Sequence, residues 1–365
     1  MQIATIISAL EQFAPIVYQE SYDNAGLITG NAQWNCTGII CNLDATEAVI
    51  DEAIEKKCNL VIAHHPIIFS GLKKINGNNY IEKTIIKAIK NDIAIYAIHT
   101  NLDNIIQGVN AAIAEKLQLI NCTILFPKNN ILTKLCTYVP LNYVDTIREA
   151  IFCAGGGNIG NYGECSFSVE GIGTFNAGKN AQPFVGEIEK RHEEKEMKVE
   201  IIFPSYLQNG IVNALKAAHP YEEVAYDLIP LSNQFNQIGS GIIGQLEKPI
   251  SEKDFLTLLK QTFGLQVIKH TSFLNKSIET VAICGGAGSF LINKAMAAKA
   301  DIFITADMKY HEFFDANERI VIADIGHWES EQFTTNLLIH VLQSKFPTFA
   351  VLKSEVITNP VQYFL

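Results

Sequence analysis

The 365-residue sequence contains no Lys/Arg-rich tract, and its formal net charge is −10. A nucleic-acid or anionic-membrane surface is therefore disfavoured as the main partner, because both attract a positive patch. No apolar run reaches the length that crosses a bilayer, which argues against a membrane protein. The opening MQIATIISALEQFAPIVYQE has neither a basic leader nor a small-residue cleavage site, so a cytoplasmic protein is expected. The eight cysteines (Cys36, Cys41, Cys58, Cys122, Cys136, Cys153, Cys165 and Cys284) form no CxxC pair. Thiolate metal sites and disulfides are thus disfavoured, and runs such as GIICNL are where buried, reduced cysteine is expected. Low-complexity tracts and short-period repeats are also missing.

Hydrophobic residues make up 48% of the chain and charged residues 18%, the balance of a globular protein with a large core. The length exceeds what one ordinary core organises and suggests two or three domains. Residues 1–128 alternate helical spacing (IATIISALEQF, TEAVIDEAIEKK, NYIEKTIIKAIKN, GVNAAIAEKLQL) with continuously apolar strand-like runs (GIICNLD, NLVIAHH, IAIYAIHT). Residues 236–365 return to this grammar in FLTLLKQTFG, TVAICGG, DIFITAD, RIVIADIG and TTNLLIHVLQSKF. The expected fold is α/β, a main domain of two halves whose sheets are covered by helices. Between them, residues 129–235 order as β-α-β-β-α-β with a charged excursion, GEIEKRHEEKEM. That order predicts an inserted ferredoxin-like domain, with the Gly-containing LSNQFNQIGSGIIG as its exit linker.

The chemistry-bearing residues gather at predicted carboxyl ends of strands, where open α/β sheets form ligand sites. VIAHHPIIFSG places His64 and His65 at one such end. Alone, the pair reads more readily as one buried histidine and one solvated neighbour, but Pro66 breaks the strand and lets both rings turn to one side. AIHTNLDN contributes His99 and Asp103 at the next strand end, with Asp103 equally suited to capping a helix. In DIGHWESEQF, His327 and Glu331 lie four residues apart and share a helix face, with Glu329 off it. ITADMKYHEF adds Asp307, Tyr310 and His311. Nitrogen and carboxylate donors without thiolate suit zinc, iron, manganese or cobalt, and five donors exceed one tetrahedral ion, so two divalent ions are expected, zinc foremost. His99 and His311 are the candidate proton carriers. The turn in ICGGAGSF lacks phosphate-loop spacing, and Asp44 in LDATEAV reads as a helix cap.

SYDNAGLITG, AHHPIIFSGLKKI, AIHTNLDN, ITADMKYHEF and DIGHWESEQF, in this order, resemble the Nif-three-like dinuclear metal-centre family, often labelled GTP cyclohydrolase I type 2. The resemblance covers both outer halves. It implies His64, His65, Asp103, His327 and Glu331 as metal ligands and a toroidal homohexamer with the metal pairs facing an internal cavity. The middle segment, with KAAHPYEEVAYDLIPL, is similar to the PII-like or CutA-like insert of longer bacterial members. Tyr22 stands where the family usually has Trp, and Ala306 where Gly is common, neither at an implied ligand. The functional expectation is a metal-dependent hydrolase acting on a nucleotide, a related cyclic amide or amidine, or a phosphoester. The alternative is a non-catalytic ring that binds metal or a metabolite and signals through its inserted domain.

Overall fold

Continuously apolar strands and one-sided helices alternate along the N-terminal half, as their sequence periods dictate. The structure, a computed structural model, describes residues 1–364. Helix Ile3–Phe13 buries Ile3, Ile6, Ala9 and Leu10, a stripe at helical spacing. Strands β1 (Gly26–Thr29), β2 (Ile39–Asp44), β3 (Leu60–His65) and β4 (Ala94–Ala97) follow, with helices Glu47–Glu55 and Tyr80–Lys90 as crossovers. Thr46 and Asn79 cap these helices by accepting from the Val49 and Glu82 amides. β2, β3 and β4 pair in parallel, and β1 lies antiparallel on β4.

After β5 (Ile120–Asn129), residues 127–236 form a compact unit of their own. It contains β6 (Leu132–Pro140), helix Val144–Cys153, β7 (Phe167–Asn176), β8 (Arg191–Pro204), helix Gln208–Ala218 and β9 (Tyr226–Leu231). The strands pair antiparallel in the order β7-β8-β6-β9. One sheet face sets Leu135, Val199, Ile201 and Phe203 against Ile147 and Leu215 of the two helices. The charged run RHEEKEM, expected as an excursion, is the first half of β8 and pairs with β7 from Asn176 to Glu170.

The rest of the chain adds β10 (Gln234–Ser251), β11 (Lys269–His270), β12 (Ser277–Ala287), β13 (Ile302–Ala306), β14 (Val321–Asp324) and β15 (Val351–Lys353). The other compact unit, residues 1–126 with 237–365, holds two sheets, β1-β4-β3-β2-β15 and β11-β14-β13-β12-β10-β5. β12, β13 and β14 are parallel neighbours, while β15 returns to pair in parallel with β2. The expected exit linker is corrected here, because LSNQFNQIGSGIIG lies mostly in β10. Its glycines serve close approach: at Gly241, with φ +68°, an added Cβ would stand 2.8 Å from the Ile283 carbonyl oxygen. Among the described residues, no helix is long and apolar enough to cross a membrane.

Candidate metal centre

The carboxyl ends of the parallel strands place the candidate side chains. His65 ends β3 directly opposite Asp44, which ends β2 in the same register. His99 follows β4, and Asp103 closes the single turn Thr100–Asp103 behind it. Gly326, at φ +92°, turns the chain out of β14 into helix His327–Glu331, which stacks its first and last residues on one face.

Each of four imidazoles is fixed through Nδ1 by an outer partner. His64 bonds the Ile98 carbonyl at 2.8 Å, His65 the Asp44 carboxylate at 2.8 Å, His99 Asp23 at 2.7 Å and His327 Asp307 at 2.6 Å. This turns Nε2 of each ring inward as the atom available to a metal, the arrangement expected of metal-ligating histidines. The Nε2 atoms of His65 and His327 are 3.3 Å apart, and Glu331 Oε2 is 2.9 and 3.2 Å from them. Donors about 2.0–2.1 Å from one tetrahedral ion are separated by roughly 3.3 Å, so these three suit a shared ion. On the other side of the same carboxylate, His64 Nε2 is 3.9 Å from Glu331 Oε1 and 3.5 Å from Asp103 Oδ1. His64 Nε2 and Asp103 Oδ1 are buried with no hydrogen-bond partner among the described residues. Two such atoms facing each other carry a desolvation cost that a cation between them removes. Two donor groups, His64 with His65 and His99, and His65 with His327 and Glu331, can each hold a metal ion.

Electrostatics follow from burial opposed by pairing. Burial lowers the His64 pKa and keeps its ring neutral, the form that ligates. Burial works against protonated His65 too, but hydrogen bonds to Asp44 and Glu331 outweigh it and hold its pKa up at about 9. Burial opposes ionisation of Glu331, yet the close His327 and His65 rings, with His64 nearby, keep its carboxyl well below the usual range. Asp103 moves the other way, raised by burial and the adjacent Glu331 charge. Burial also disfavours the Asp23 carboxylate, and bonds from His99 and Thr100 reverse this to about 2.

The structure thus brings together His64, His65, His99, Asp103, His327 and Glu331. His311 lies outside both donor groups; it is exposed, and its ring meets Tyr310 at 5.1 Å and Phe314 at 6.3 Å. Asp44 corrects the sequence reading, because Thr46 is the helix cap and Asp44 Oδ1 holds His65 while Oδ2 accepts from Thr358 at 2.6 Å. The available signal was its position at a strand end immediately before the His64–His65 strand. Asp23, within SYDNAGL, holds His99 across 76 residues of chain, a pairing that no local sequence pattern contains. Asp307 reaches His327 from a left-handed backbone with φ +56°, a conformation that costs an L residue roughly 1–2 kcal/mol. The ICGGAGSF turn is likewise explained by the site: at Gly286, with φ +63°, a Cβ would overlap Glu331 Oε1.

A family model described as Duf34/NIF3 (NGG1p interacting factor 3) matches residues 1–360. A relative from Bacillus subtilis named "GTP cyclohydrolase 1 type 2 homolog" is 36% identical over 363 residues, covering 98% of this chain and 97% of its own. A Listeria innocua protein of the same name is 37% identical over 361 residues, 97% of this chain and 96% of its own. Among solved structures, a Bacillus cereus protein related to NIF3 superposes with TM-score 0.87 at 36% identity, over 100% of this chain and 99% of its own. Staphylococcus aureus protein SA1388 gives TM-score 0.80 at 28% identity, with the same coverage.

Proposed function

This chain belongs to the Duf34/NIF3 family, and from that premise we propose that it is a metal-dependent hydrolase with two divalent ions per subunit, zinc foremost and iron, manganese or cobalt as substitutes. His65, His327 and Glu331 would hold one ion, and His64 and Asp103, beside the same Glu331, would hold the other. The observation that carries this reading is the common orientation of four imidazoles, each anchored outward through Nδ1 with Nε2 turned to the cluster. A bound pair of ions supplies Lewis acidity and lowers the pKa of water toward neutrality.

The chain's own residues do the rest. Asp44 and Asp307 orient His65 and His327 and disperse their positive charge. His99 takes the part of proton carrier, because Asp23 fixes its Nδ1 and leaves Nε2 facing the donor group. The exposed His311 has no such support. The substrate classes we put forward are a nucleotide, a related cyclic amide or amidine, and a phosphoester; the printed name of the Bacillus subtilis relative favours the first. We further read residues 129–235 as a ferredoxin-like insert, supported by the β-α-β-β-α-β order and the β7-β8-β6-β9 sheet. The assembly we propose is a cytoplasmic homohexamer.

Turnover of nucleotides, cyclic amidines and phosphoesters by metal-loaded native protein and a His65→Ala variant tests the hydrolase. Native turnover at least about a hundredfold above the variant supports it. Equal background from both, with the native protein stabilised by one of these compounds, would instead establish a binding ring.

A further inference from the structure

Strand β7 carries two glycines, Gly171 and Gly173, at alternate positions on one face. Glycine inside a strand costs about 0.5–1 kcal/mol and commonly marks a place where something approaches the backbone closely. At Gly173 that something is visible, because an added Cβ would overlap the Glu196 carboxylate. At Gly171 a Cβ would meet nothing within 4 Å, so the space is open. These glycines floor a cavity of about 620 Å³ within the middle unit, a volume typical of small-molecule sites. Ala181, Pro183, Phe184 and Val185 line one part of it, and between them the Gln182 amide donates to Glu222 Oε2 at 2.7 Å.

We propose that this cavity binds a small organic cation, an ammonium or guanidinium carried on an apolar body. Glu196 is only 9% exposed, and its side-chain Oε1 accepts from the Tyr221 hydroxyl at 2.9 Å. Oε2, over Gly173, accepts no side-chain hydrogen bond among the described residues and stays open to the cavity, where a cation can reach it. Glu170, Glu222 and Glu223 also line the cavity, and the one lining cation, Lys198, already pairs with Glu200 at 2.6 Å. The field inside is therefore negative. Aromatic side chains complete the recognition surface: Phe184 and Tyr221 pack with ring centroids 6.1 Å apart and planes tilted by 48°, and Tyr138 and Phe175 also line the cavity. Ring faces beside a carboxylate favour a cation with an apolar body over a hydrated metal ion or an anion.

Calorimetric titration of the full-length protein with phenethylamine and agmatine, beside neutral 2-phenylethanol, tests the proposal. Saturable one-to-one binding of a cation is expected, with 2-phenylethanol at least tenfold weaker. Glu196→Gln should weaken the cation at least tenfold. Gly171→Val, which fills open space in a strand that tolerates a β-branched residue, should abolish binding even if the first variant fails to fold. His65→Ala should bind as the native protein does, so failure of the metal centre and failure of this site are distinguishable. No saturation by either cation, equal binding of 2-phenylethanol, or full binding to Gly171→Val would each overturn the proposal.

Discussion

At the scale of single residues, the candidate site depends on carboxylates that touch no ion. Asp44 carries His65 on one oxygen and Thr358 on the other, so it fixes a ring angle and the route of the C-terminal segment together. Asp44→Ala should lower metal affinity about 10–100-fold while the far-UV circular dichroism spectrum is unchanged. Chelator competition measures this, and undiminished affinity would remove Asp44 from the account. The cluster itself was legible in the sequence because His64, His65, His99, Asp103, His327 and Glu331 sit where apolar runs end. Asp44 was not, since LDATEAV has the local form of a helix cap. Its use for His65 arises from the register of β2 on β3, which no local pattern contains.

Among elements, long periodic segments were readable and irregular ones were not. The four-residue β1 is too short to announce itself. β8 and β10 were obscured by composition, because charged, Asn-rich and Gly-rich stretches usually mark loops. In β8 the charges tolerate the strand because Glu193 and Lys195 stay exposed while pairing with β7 satisfies the backbone. The C-terminal segment after β15 offers a test of how elements are held. Glu52 of helix Glu47–Glu55 receives Lys56 at 2.7 Å, the Glu355 amide at 2.9 Å and the Ser354 hydroxyl. Burial opposes ionisation of Glu52, but these bonds outweigh it and lower the pKa from its ordinary 4.5. A depressed carboxylate pKa contributes stability that is present above the unfolded value and lost as pH falls through the folded one. Glu52→Gln should therefore cost about 1–3 kcal/mol at neutral pH, with the difference from native shrinking as pH falls below 4.5. Denaturant unfolding at pH 7 and pH 4 checks this, and a constant difference would assign the effect to packing.

For the whole molecule, aromatic side chains left in water are where the proposed hexamer would find its contacts. Tyr310 and Phe314 are 74% and 66% exposed, and their rings meet at 5.5 Å. Exposed apolar patches of this kind commonly mark association surfaces. Light scattering of the purified protein should give the mass of six chains, whereas a monomer would separate the metal site from any ring. The central claim remains the pair of ions, and it is tested most directly by counting them. Mass spectrometry of metals in native protein, before and after supplementation, should give about two divalent ions per chain, and fewer than one in Glu331→Gln. Native protein that holds less than one ion per chain even after supplementation would contradict the account.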